Sequence, residues 1–191
     1  MYICVYGASS DEINDRYINE GEKLGLEMTR RGMNLVFGAG ANGMMGAVAR
    51  GVSKGGGHIV GVVPRFFNVD GIIYDKCDEL IRTDTMRERK QIMEDRADAF
   101  IMTAGGIGTF EEFFEILTLK QLGRHTKPIV MLNTDGYFNK MEEMMRDAIA
   151  QKFIFESVSE LYAVCDSVED ALDYIEGYKC ESIDASDYKK V

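Results

Sequence analysis

Cysteine and histidine are scarce in this chain, with four of the first and two of the second in 191 residues. Cys4, Cys77, Cys165 and Cys180 form no close pair, and only His58 and His125 are present, so neither a disulfide framework nor a zinc site has support. The expectation is reduced cysteines, with Cys4 and Cys165 in core strands, and no metal. Proline-rich and serine-rich linkers are also lacking. With 46% hydrophobic residues, this reads as one globular domain over residues 1–178 and a polar carboxyl tail over 179–191. No stretch approaches about 18 consecutive apolar residues, and the opening "MYICVYG" lacks a basic region followed by a long apolar run. A membrane span and a secretory leader are therefore not expected, and a cytoplasmic protein is. A surplus of positive charge is missing too. A formal net charge of −10 argues against a nucleic-acid or anionic-membrane surface, because such binding draws on clustered Lys and Arg. Small ligands remain open, since a local basic pocket can sit inside an acidic protein.

What is present is an alternation of short β-branched runs with longer amphipathic segments. "YICVY" (2–6), "NLVF" (34–37), "HIVGVV" (58–63), "AFIM" (99–102), "PIVML" (128–132) and "YAVC" (162–165) read as buried strands, with "ELIR" (79–82) a weaker seventh. Residues 12–31, 44–54, 85–96, 109–122, 137–151 and 167–176 carry apolar residues at helical spacing. Strands alternating with helices predict an α/β fold, a Rossmann-like doubly wound sheet, mostly parallel, with helices on both faces. In such a sheet ligands bind beyond the carboxyl ends of the strands. That directs the search to the loops "GASS" (7–10), "GAGANGMMG" (38–46), "PRFFNVDG" (64–71) and "AGGIGT" (104–109).

The second loop has G-x-G-x-x-G at Gly38, Gly40 and Gly43 between a strand and a helix, the form of a dinucleotide fingerprint. A dinucleotide site also wants an acid about 20 positions on to hold the ribose, and none precedes Asp70. A tight turn and a contribution to a mononucleotide pocket both stay open. The fourth loop is more specific. Gly105, Gly106 and Gly108 can bring backbone N–H groups close to a ligand, Thr109 adds a hydroxyl, and a helix begins there with its positive dipole end facing the loop. Thr109 and Glu112 also have the spacing of a capping box, while Phe110, Phe113, Phe114 and Leu117 form an apolar stripe. A phosphate here would be repelled by Glu111, Glu112 and Glu115 unless cations intervene. "MRERK", Met86 to Lys90, is the richest source of cations; a solvated helix face is its other reading.

"MRERK" followed closely by "ADAFIMTAGGIGTFEE", with "CVYGASS", "NLVFGAGANGMMGAVA", "GGGHIVGVVP", "QLGRHTKPIVMLNTDGYF" and "AIAQKFI", resembles the LOG (Lonely Guy) family over most of the chain. These are cytokinin riboside 5'-monophosphate phosphoribohydrolases once labelled lysine decarboxylases. Ala104 stands where the family usually has proline, and Arg87 where many members have histidine. The resemblance implies hydrolysis of the N-glycosidic bond of AMP or an N6-substituted relative, with no metal or organic cofactor. It implies Arg89 and Glu112 as catalytic residues and Met86, Lys90, Gly105, Gly106, Ile107, Gly108, Thr109, Glu111 and Thr118 as substrate contacts. Ser9, Gly40 and Gly43 join them on strand-end geometry. It also implies a homodimer with sites near the interface, to which the methionine-rich helices from Met86 to Met93 and Met141 to Met145 could lend surface. Decarboxylation of lysine would need a pyridoxal-binding set that the sequence does not offer. A non-catalytic nucleotide or cofactor carrier on the same fold is the alternative function.

Overall fold

The structure is a computed structural model and describes residues 1–67 and 71–179. Among the described residues there are seven strands and six α-helices: β1 (Tyr2–Tyr6), α1 (Asp15–Arg30), β2 (Asn34–Phe37), α2 (Gly43–Gly55), β3 (Ile59–Pro64), β4 (Glu79–Thr83), α3 (Met86–Arg96), β5 (Ala99–Met102), α4 (Ile107–Gln121), β6 (Ile129–Leu132), α5 (Asn139–Ala150), β7 (Ala163–Cys165) and α6 (Val168–Gly177). They form one sheet in the order β4-β3-β2-β1-β5-β6-β7, and every described pair is parallel. The chain builds outward from β1 in one direction and then reverses at β5. A crevice opens at such a switch point because the connections on its two sides leave toward opposite faces.

Central strands are buried on both faces, which is why their sequences read as continuous apolar runs. Two cores result. Ile3, Val5, Leu35 and Ile101 pack with α1, α2 and α6, while Cys4, Val36, Phe100 and Met131 pack with α3, α4 and α5. Side chains alternate across each strand, so neighbours such as Ile3 and Cys4 enter opposite cores. Helices α1 and α2 approach closely through glycines. A Cβ on Gly25 would lie 2.1 Å from the Val48 carbonyl oxygen, and one on Gly51 would lie 2.2 Å from that of Glu22. The expected core positions of Cys4 and Cys165 divide: Cys4 is buried in β1, whereas Cys165 ends edge strand β7 half-buried.

Element boundaries move by a few residues from the periodicity reading, each for a local reason. Helix α1 begins at Asp15 because Asn14 caps it, its Oδ1 accepting the Arg16 N–H at 3.0 Å. Thr85 stands outside α3 as its N-cap, accepting the Glu88 N–H at 3.1 Å. Helix α4 begins at Ile107, before the expected Thr109, with Gly106 as its N-cap. Among the described residues no helix is long and apolar enough to cross a membrane. Cys180 and nearly all of the tail expected over 179–191 lie outside the described residues, as do residues 68–70 of the third strand-end loop.

Candidate active site

A cavity of about 590 Å³ opens over the carboxyl ends of β1, β2, β3 and β5. Gly7 to Ser9 line it after β1, Gly38 to Asn42 after β2, Val63 and Pro64 at the end of β3, and Gly106 to Thr109 after β5. The first and fourth loops are tied together, the Ala8 N–H donating to the Ala104 carbonyl at 3.0 Å. Tyr137 reaches over from the start of α5 and donates its hydroxyl to the Gly105 carbonyl at 2.7 Å. With that carbonyl engaged, the N-terminal turn of α4 is left facing the cavity with N–H groups that have no partner within the helix, a site suited to an anion.

Arg89 and Glu112 meet in the cavity wall. Arg89 lies in the first turns of α3, buried to 7% exposure, and its Nε donates to the Val62 carbonyl at 3.1 Å. Its Nη1 donates to Glu112 Oε1 at 2.9 Å. Burial pushes the Glu112 carboxyl above its ordinary value, against the pull of the Arg89 guanidinium. The structure thus removes the capping-box reading of Glu112: Gly106 takes the cap position, and the Glu112 carboxylate goes to Arg89.

The neighbouring acids have a different partner. Lys90 Nζ pairs with both Glu111 and Glu115, at 2.8 Å to the latter. Burial pulls the Lys90 ammonium down, but those two hydrogen bonds outweigh it and leave its pKa above the usual lysine value. The "MRERK" segment is therefore no uniform solvated face, since Arg89 and Lys90 each bind an acid of α4.

Of the residues singled out from sequence, Ser9, Gly40, Met86, Arg89, Gly106, Ile107, Gly108, Thr109 and Glu112 line this cavity. Lys90, Gly105, Glu111, Thr118 and Gly43 do not. Gly105 is set back by its bond to Tyr137, and Thr118 is exposed further along α4. Gly43 is occupied from within: its N–H donates to Asp11 Oδ1 at 2.7 Å. An internal carboxylate thus sits at the start of α2 where a bound phosphate would have to go, so the second loop offers no open pyrophosphate cradle. The N-terminus of α4 remains open to the cavity and suits an anion.

At the apolar end of the cavity Met45, Pro64 and Phe67 come from loops that the sequence singled out, whereas Ile72 and Ile73, which complete it beside Val63, lie outside every loop that sequence reasoning named. The segment carrying Ile72 and Ile73 straps back across the second loop. Ala41 N–H donates to the Ile72 carbonyl at 2.8 Å, and Tyr74 N–H to that of Ala39 at 2.9 Å. Gly40 and Ile73 form a single antiparallel bridge, which is too short to leave a period in the sequence. Among the described residues, no group of three or more His, Cys, Asp or Glu side chains is placed to hold a metal.

A protein-family model described as "Possible lysine decarboxylase" matches residues 45–175. The chain is similar to a cytokinin riboside 5'-monophosphate phosphoribohydrolase of Mycobacterium tuberculosis, 39% identical over 170 residues covering 89% of this chain and 90% of the relative. A probable enzyme of the same name from Oryza sativa subsp. japonica is 35% identical over 175 residues, covering 92% and 83%. An Arabidopsis thaliana enzyme of that name is 34% identical over 176 residues, covering 92% and 83%. Among solved structures, a molybdenum cofactor carrier protein from Chlamydomonas reinhardtii superposes with a TM-score of 0.70 at 23% identity, covering 92% of this chain and 94% of that one. That likeness extends to the fold.

Proposed function

We propose that this chain, which belongs to the LOG family, is a nucleoside 5'-monophosphate phosphoribohydrolase that cleaves the N-glycosidic bond of AMP or an N6-substituted AMP. The observation that carries the reading is the buried Arg89–Glu112 pair, set one helical turn from an open helix N-terminus in one cavity wall. The 5'-phosphate binds at the N-terminus of α4 through backbone N–H groups and the Thr109 hydroxyl. The ribose then lies toward Glu112 and the base toward the apolar end.

As the bond from the anomeric carbon to the base nitrogen breaks, the base leaves with the electron pair and positive charge develops on the sugar. The Glu112 carboxylate stabilises that charge and accepts a proton from the water that adds to the anomeric carbon. The departing base takes up a proton, so the products are free base and ribose 5-phosphate. A carboxyl raised by burial is a better base than an ordinary one, and Arg89 keeps it fixed and favours its ionised form.

A decarboxylase would need a lysine for a pyridoxal Schiff base. Among the described residues no lysine lines the cavity. A carrier on this fold would need no buried acid–arginine pair at the ligand. The deciding experiment is incubation of purified protein with AMP and with adenosine, reading free adenine by chromatography. Adenine is expected from AMP and far more slowly from adenosine, because the binding energy of the α4 terminus is realised only through the phosphate. No adenine from AMP sinks the enzyme reading; equal release from both substrates sinks the placement of the phosphate.

A further inference from the structure

The three glycines of the G-x-G-x-x-G pattern, Gly38, Gly40 and Gly43, are glycine for different reasons, and the first of them concerns catalysis. Gly38 does not adopt a positive φ, so its backbone would accept alanine. What it lacks is space. A Cβ there would lie 1.9 Å from Arg89 Nη2 and 3.1 Å from Arg89 Cζ. At Gly40 the Cβ would instead meet the flexible end of Met45, with Cε at 2.6 Å, and at Gly43, where φ is +59°, it would meet the Ala8 carbonyl oxygen at 2.5 Å.

We infer that Gly38 is a positioning residue, whose missing side chain is the slot that seats the Arg89 guanidinium against Glu112. The consequence for turnover rests on the phosphoribohydrolase reading; the geometry does not. Three contacts fix the guanidinium: the Val62 carbonyl at Nε, Glu112 at Nη1, and the bare Cα side of Gly38 at Nη2. A methyl group at position 38 displaces the tip of a flexible side chain rather than backbone, so the fold can absorb it while the hydrogen bond to Glu112 cannot stay in place. The glycine after β2 therefore serves a protein cation and not a nucleotide pyrophosphate. This also accounts for a G-x-G-x-x-G pattern in a chain with no acid at the ribose-binding distance.

The test reads Glu112 directly. The titratable and charged groups that act on it are Arg89 and Lys90 from α3, Cys4 and Tyr6 from β1, and Glu111 on its own helix; of these it is Arg89 that a Cβ at position 38 would press on, at Nη2 and Cζ. In Gly38→Ala, carbon-detected NMR of the ligand-free protein should show the Glu112 carboxyl titrating higher than in the parent, toward its position in Arg89→Ala. Turnover of AMP should fall by roughly 10- to 100-fold, the scale of an ångström-level misplacement. In an Arg89→Ala background the alanine at 38 should change neither quantity, because its target is gone. Should Gly38→Ala alone fail to fold, the double variant should fold, and failure of both overturns the inference. An unchanged Glu112 titration in Gly38→Ala, or an equal fractional loss of turnover in the Arg89→Ala background, also overturns it. If the parent does not cleave AMP, the proposed function fails while the titration still decides the role of Gly38.

Discussion

Glu112 is a carboxylate whose burial works against its ionisation, and this gives a test that separates chemistry from stability. Its carboxyl is raised above the ordinary value of 4.5, with burial the largest cause and Arg89 opposing. A raised carboxyl pKa means that ionisation costs the folded state more than the unfolded one, so the cost begins as pH climbs past about 4.5 and is complete above the raised pKa. Glu112→Gln should therefore melt at or above the parent temperature near neutral pH, with the difference fading below about 4.5. A pair held for stability would behave in the opposite way, since removal of one partner strands a buried charge. Turnover of AMP should nonetheless fall by roughly 10²-fold or more, because an amide is neither a base nor a negative charge. The acid limb of kcat/KM in the parent should lie above the ordinary carboxylate range. Adenine release followed as a pH–rate profile and a thermal melt series in pH check all three; near-parental turnover in Glu112→Gln would end the mechanism.

Helix α4 has a different task at each end. At its start, the bond from Tyr137 to the Gly105 carbonyl holds the loop that presents the helix N-terminus. Tyr137→Phe deletes that one hydrogen bond and should raise KM for AMP about 2- to 10-fold, the equivalent of one net hydrogen bond, with kcat much less affected. A lowered kcat at unchanged KM would show instead that the loop acts on the chemistry. Beyond its other end, the His125 ring packs back onto α4. Nδ1 accepts the Lys127 N–H at 3.2 Å, so Nε2 carries the proton and donates to the Ile116 carbonyl at 2.9 Å. Burial pushes the His125 pKa down from 6.5 to about 4. The neutral ring then contributes stability that is fully present above about 6.5 and is lost as pH falls toward about 4. The melting temperature should drop across that window, and His125→Gln should shrink the drop. An identical pH dependence in both proteins would remove His125 from the acid response.

The whole molecule leaves apolar surface at the mouth of its own site. Ile107 is 87% exposed and Met86 39%, both on the cavity rim. The methionine-rich helices spend part of their apolar surface inward: Met93 and Met145 are buried, at 0% and 3%, while Met144 is 53% exposed. Exposed apolar residues clustered at a rim suit burial against a second copy, in keeping with the homodimer proposed from the family resemblance. Light scattering at micromolar concentration should give the mass of a dimer, and a stable monomer there would defeat the proposal.

The sequence alone determined the architecture and the two segments that meet at the cavity. Its strands are legible because a parallel sheet buried on both faces demands continuous runs such as "AFIM" and "PIVML", and its helices because one buried stripe recurs at helical spacing. "AGGIGTFEE" and "MRERK" are legible as an anion loop and a cation source because each is contiguous. The residue pattern by itself left open which of three clustered glutamates enters the cavity; the family resemblance pointed to Glu112, and the tertiary structure places Glu112 there. Glu112 meets Arg89 across 23 positions of chain, while Glu111 and Glu115 turn to Lys90. Only the tertiary structure decided that Asp11 fills the start of α2, that Ile72 and Ile73 strap across to close the apolar end, and that Gly38 is shaped by Arg89. These are meetings between separate elements, fixed by sheet order and helix packing. A pattern that repeats along one element records which face is buried, and it carries no record of which side chain arrives from the next element.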